Sequence, residues 1–224
     1  MKPVGYLIKY PDGLQGERGL YYDYILASTG VWIEAEGKLM AARAPVSHAE
    51  VRGLAPLEAK MVLRYGRIPQ RFFDLALSAF LADTSKERYV AITWGGGQYH
   101  LRVPEQEGTE GSVQYAVSDS VILDLHSHGK MSARFSGQDN RDEQGLKLYG
   151  VLGTLDVTPR VLLRFGVYGY FHPISWGDVF DGSMIGVEDF IEQKEVIDED
   201  ELHSEIGGQL WSPENSSSGM RWNR

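Results

Sequence analysis

Val121-Ile122-Leu123-Asp124-Leu125-His126-Ser127-His128, followed after seven residues by Ser136-Gly137-Gln138-Asp139, is the stretch on which the fold turns. Its first five residues are apolar or β-branched around one Asp, and they predict a buried strand. Residues two apart on a strand face the same way, so both imidazoles project together from its end. Ser136 falls where a helix N-cap belongs, with Asp139 at the third helical position. Two imidazoles and one carboxylate thus converge from a strand end and a helix start. Three protein ligands with a fourth position left to water is the catalytic zinc arrangement, whereas structural sites are closed by four. The segment reads as a hydrolytic zinc centre built on His126, His128 and Asp139.

Each fragment also has a plainer reading. A lone His in an apolar strand is usually a core or surface histidine, and a lone Ser-x-x-Asp is usually a helix cap. Here both histidines, the Ser and the Asp share one fixed register in a strand–loop–helix context. No Cys is present to build a competing thiolate site.

The pattern His126-Ser127-His128, seven residues, then Ser136-x-x-Asp139 resembles the signature of the JAMM (JAB/MPN) metalloproteases at every defining position. The resemblance implies an α/β fold, a central mixed β-sheet flanked by helices. It implies zinc bound by the two His and the Asp, a Ser that helps stabilise the tetrahedral intermediate, and an upstream Glu that activates water. It also implies cleavage of isopeptide bonds to ubiquitin or ubiquitin-like proteins, or processing of related C-terminal tails. Gly129 and Phe135 depart from the family, which often has Pro at both positions, and they bear on loop rigidity and substrate fit.

In the resembled family the Glu opens the first strand after the first helix. Pro69 to Asp83 predicts that helix, with Phe72, Phe73, Ala76, Leu77 and Phe80 on one stripe. Arg88 to Trp94 predicts the strand. Glu87 at their junction is the choice for general base, and Glu58 and Glu50 are the fallbacks. The plainer reading of Glu87 is an exposed turn carboxylate. Ser136 has two candidate roles, helix cap and donor to the developing oxyanion, and capping is the safer of the two.

Composition narrows the function classes. A length of 224 residues suits one domain with additions. Without Cys there are no disulfides and no thiol or thioester chemistry. A formal net charge of −9 disfavours nucleic acid as a partner. No apolar run is long enough to span a membrane, and Met1 to Gly5 opens no signal-peptide apolar segment, so a cytoplasmic location is expected.

Three regions follow along the chain. Residues 1–67 predict a β-rich accessory region, with a hairpin of Gly30–Ala35 and Lys38–Ala42, a loop at Gly13–Gly19, and Leu57–Tyr65 as strand or short helix. Residues 68–183 predict the catalytic domain. Within it Trp94-Gly95-Gly96-Gly97-Gln98 reads as a hairpin turn into Tyr99–Val103, and Val113–Val117 as a strand. A helix is expected over Gly137–Leu148, then paired strands Val151–Asp156 and Val161–Tyr170. The aromatics Tyr168, Tyr170, Phe171, Trp176 and Phe180 read as core before peptide groove, and His100 and His172 as structural or surface residues. Residues 184–224 predict an acidic, disordered tail, with a short helix at Val187–Glu195.

The β-rich N-terminal extension, Arg67-Ile68-Pro69, Asp139-x-x-Asp142-Glu143, Val167-Tyr168-Gly169-Tyr170-Phe171 and Trp176-x-Asp178-Val179-Phe180-Asp181-Gly182 together resemble the JAB-domain protein A of the bacterial PRTRC cassette. That likeness implies a small ubiquitin-like modifier and E1-like (ThiF-related) cassette proteins as partners. Two functional readings stand: a zinc isopeptidase or peptidase acting on such a modifier, and a non-catalytic scaffold or binding module that recognises it. The complete ligand set favours the enzyme.

Overall fold

The computed structural model describes residues 2–103, 120–189 and 191. The chain first lays down β1 (Val4–Tyr10), β2 (Gly13–Glu17), β3 (Tyr22–Ala27), β4 (Gly30–Glu36), β5 (Met40–His48) and β6 (Lys60–Leu63). These form one mixed sheet in the order β2-β1-β3-β4-β5-β6, in which β1 and β3 run parallel. The expected hairpin is β4–β5, and Leu57–Tyr65 resolves as a strand at β6. The loop expected at Gly13–Gly19 is instead strand β2, because its backbone pairs antiparallel with β1 from Gly13 to Glu17. That short edge strand carries no apolar alternation to betray it.

Helix α1 (Gln70–Leu81) follows, then β7 (Arg88–Gly95), β8 (Gln98–Arg102), β9 (Val121–Ser127), α2 (Gly137–Asp142), β10 (Lys147–Gly153), β11 (Arg160–Val167), β12 (Tyr170–Ile174), α3 (Trp176–Val179) and β13 (Glu188–Asp189). They build a second mixed sheet in the order β12-β11-β10-β9-β7-β8, with β13 on β11. The architecture is the mixed α/β one expected. The strand expected at Val113–Val117 lies outside the described residues, as does most of the acidic tail. No helix among the described residues is long and apolar enough to cross a membrane.

Three boundaries differ from expectation. The helix opening at Gly137 ends at Asp142, not Leu148, because Lys147–Gly153 runs as β10, parallel to β9. Strand β11 stops at Val167; Tyr168 takes a left-handed φ of 49° and turns the chain, so Tyr170 opens β12. The helix expected from Val187 begins as strand, since Glu188 and Asp189 pair with Arg160 and Val161 of β11.

Alternation along the strands divides the second sheet into two faces. Val90, Leu123, Leu125, Leu148, Leu163 and Phe165 point one way, into a single core shared with Phe73, Ala76 and Phe80 of α1. Ile33, Met40, Ala42 and Ala44 of the first sheet join the same core. Trp176 and Phe180 are buried there too, as expected of core aromatics. Asp124, His126, Tyr149 and Arg164 lie on the opposite face.

Candidate metal centre

Strand β9 presents Asp124 and His126 outward while Leu125 and Ser127 turn inward. Ser127 is fully buried, and its hydroxyl accepts the Arg88 N–H at 3.2 Å. The strand then leaves the sheet at His128, whose N–H donates to Leu152 O at 2.8 Å. Gly129 takes a φ of 57°, and a Cβ there would stand 2.4 Å from Thr84 O. Proline is locked near φ −65° and has no place in this turn, which accounts for one departure from the resembled family. Gly153 is equally constrained, since a Cβ would lie 2.2 Å from Ala133 N, so the loop seats directly on β10.

The loop delivers the chain to Ser136, the N-cap of α2. Its Oγ accepts the N–H groups of Gln138 at 3.2 Å and Asp139 at 3.1 Å, and its own N–H donates to Asp139 Oδ2 at 2.6 Å. This reciprocal box engages one carboxylate oxygen and leaves Oδ1 3.6 Å from His126 Nε2. The two imidazole Nε2 atoms are 3.2 Å apart, and ligand atoms of all three residues lie within 4.8 Å of one another. Tetrahedral zinc with bonds near 2.0–2.2 Å separates its ligand atoms by roughly 3.3–3.5 Å. Two of the three separations are close to that value, and the donor set suits zinc. The residues predicted as ligands are brought together here.

Electrostatics suit the same role. Burial holds the His126 imidazole down to about 4, so it is neutral at pH 7 with a lone pair for a metal. Burial pushes Asp139 up, but its electrostatic coupling to His126 and the Ser136 hydrogen bonds outweigh it and keep the carboxyl below its ordinary value. His128 Nδ1 lies 3.3 Å from Ser132 O, and donation to that carbonyl frees Nε2 for a metal.

Glu87 is exposed, one residue before β7. The paired register of β7 with β9 begins at the next residue, Arg88 opposite Ser127, with Tyr89 opposite His126, so Glu87 stands at the end of the ladder that carries His126. Glu58 and Glu50 are exposed on the β5–β6 connection, in the sheet that covers the other face. His100 Nε2 lies 3.0 Å from Gly95 O, and His172 packs on Phe165 with its pKa lowered by burial. Both lie away from the three ligands.

Sequence reasoning did not single out the polar groups beside the ligands. The Tyr89 hydroxyl donates to Asp124, which also pairs with Lys147 at 3.0 Å. Arg164, 1% exposed, binds Glu143 and Asn140. The available signal was a single Arg inside Val161-Leu162-Leu163-Arg164-Phe165, an otherwise apolar strand.

Residues 87–165 match the family model of prokaryotic homologs of the JAB domain. The matched span opens on Glu87 and contains His126, His128, Ser136 and Asp139. No curated protein and no solved structure matches the chain.

Proposed function

We propose that this chain, with a prokaryotic JAB domain across residues 87–165, is a zinc-dependent isopeptidase or peptidase that removes or processes a ubiquitin-like modifier. The JAB family includes metal-dependent isopeptidases and non-catalytic members. What favours catalysis is the intact His126–His128–Asp139 donor set gathered within 4.8 Å, with Glu87 one residue before the strand that pairs with β9. Zinc held there would supply Lewis acidity toward the scissile carbonyl and toward water. Glu87 takes a proton from the attacking water and delivers it to the departing amine as the C–N bond breaks, leaving a carboxylate and a free amine. Ser136 Oγ accepts two backbone N–H groups and keeps its own O–H to donate to the carbonyl oxygen as charge develops. The modifier and an E1-like protein that activates it are the partners this reading requires.

The test is metal content coupled to cleavage of a small β-grasp modifier fused through its C-terminus to a reporter amine. About one zinc per chain is expected, lost on Asp139→Ala together with activity. Glu87→Gln should retain zinc while turnover falls roughly 10²–10⁴-fold. Near-normal turnover by Glu87→Gln would remove Glu87 as the base. Tight modifier binding by the zinc-loaded protein without cleavage would favour the scaffold instead.

A further inference from the structure

The third ligand reaches the first two by an unusual attachment. Helix α2 is only six residues long and buries none of them, so apolar packing does not fix it to the sheet. Its polar link is Arg164. The guanidinium donates through NH1 to Asn140 Oδ1 at 2.7 Å, and through Nε and NH2 to Glu143 Oε2 at 3.1 and 2.5 Å. Asn140 directly follows Asp139, and Glu143 is the residue on which the helix ends.

The guanidinium plane is held on both sides. Its carbon sits 3.6 Å from the ring centre of Phe135 and 3.7 Å from that of Phe171. Phe135 immediately precedes Ser136, and its ring also meets His126 edge-on at 6.3 Å. Arg164 lies across from Tyr149 on β10, which lies across from Asp124 on β9, so it stands on the sheet face that carries His126. One planar cation thus touches both shoulders of the Ser136–Asp139 cap and is rooted in the strands beside the histidines. An ammonium has the charge but neither the fork nor the flat faces.

We infer that Arg164 is a positioning residue that sets Asp139 and Ser136 against the histidine pair. It acts through Asn140, Glu143 and Phe135, not by touching substrate. The inference deepens the metallopeptidase reading and rests on it for its consequence in catalysis.

Two measurements test it: zinc titration, and amide exchange of the metal-free protein. Wild type and Arg164→Lys are compared, with Asp139→Ala as the zinc-free floor of the titration. Arg164→Lys should weaken zinc binding about 10–100-fold, as loss of an outer support does. Unchanged zinc affinity would overturn the inference. In the metal-free Arg164→Lys protein, amides of residues 136–143 should exchange at least tenfold faster while those of β9 and β10 do not. Unchanged exchange there would overturn it as well. Should Arg164→Lys not fold, Asn140→Ala removes a single bond of the network and should weaken zinc several-fold; unchanged affinity counts against the role. A wild type that takes up no zinc defeats the metallopeptidase reading, and the exchange comparison still decides what Arg164 holds.

Discussion

Helices α1 and α2 flank the same pair of strands, one just before β7 and the other just after β9, yet they are held by opposite means. α1 has 12 residues and no side-chain cap bond, and it buries Phe72, Phe73, Ala76 and Phe80. α2 has 6 residues and a complete capping box, and it buries nothing. Burial is non-directional and scales with area, so α1 is strongly attached but tolerant of small shifts. Hydrogen bonds and ion pairs contribute less in total but set angles and distances. A ligand that must sit within tenths of an ångström of two imidazoles belongs on the second kind of element.

If that contrast holds, damage to the two helices should separate cleanly. Phe80→Ala opens a cavity in the shared core, and Phe80 is fully buried. A loss of about 3–5 kcal/mol in unfolding free energy is expected. At temperatures where the variant is still folded, its zinc affinity and kcat should match those of wild type. Denaturant unfolding beside zinc titration makes the comparison. A tenfold loss of zinc affinity in folded Phe80→Ala would show that the two faces of the sheet are coupled, and the contrast would fail.

The same division explains which features could be read from the chain itself. α1 was legible because its apolar stripe repeats at helical spacing, and the ligands because a strand end, a short loop and a cap lie in one contiguous segment. The end of α2 was not legible, since Glu143 leaves the helix to meet Arg164, a partner 21 residues on. Arg164 itself looks like an ordinary outward residue of β11 until the register across β9, β10 and β11 places it on the face that carries His126. The helix-to-strand junction points to Glu87, but that this junction lies at the His126 end of β9 depends on the antiparallel pairing of β7 with β9. Long-range register is what one local pattern lacks.

Next in size is a pH effect confined to the α2 side. Burial holds folded His126 to about 4, against an ordinary value of 6.5. Between those values the unfolded chain binds a proton that the folded chain does not. Stability of the metal-free protein from this group is therefore complete above pH 6.5 and lost as pH falls toward 4, on the order of 3 kcal/mol in all. Glu143 works in the other direction. Burial raises it from 4.5 to about 7, so the folded chain keeps a proton that the unfolded one releases, and its contribution is lost as pH rises through that window. The two slopes oppose each other between about pH 4.5 and 6.5, and wild type should be nearly flat there. His126→Gln should expose a stability that declines with rising pH across the same range. Unfolding measured on metal-free protein at several pH values checks this, and parallel profiles for the two proteins would reject the assignment to His126.

The smallest effect expected is the most diagnostic of what the cap does. Ser136→Ala removes the acceptor for the Gln138 and Asp139 N–H groups, at a cost of about 0.5–2 kcal/mol. Asp139 Oδ2 keeps its bond from the Ser136 backbone N–H, which alanine retains, so the carboxylate stays oriented and zinc affinity should change by less than threefold or so. If the hydroxyl serves only as a cap, kcat should track this small stability loss and remain near normal at temperatures well below unfolding. If its O–H also donates to the developing oxyanion, kcat should fall about 10²–10³-fold with KM little altered. Ser136→Thr separates the two further, because threonine caps nearly as well and keeps a hydroxyl. Recovery of kcat in Ser136→Thr, with zinc bound equally in all three proteins, would assign both roles to one oxygen. Full activity in Ser136→Ala would leave the residue to the helix alone, and stabilisation of the oxyanion would then fall to the metal.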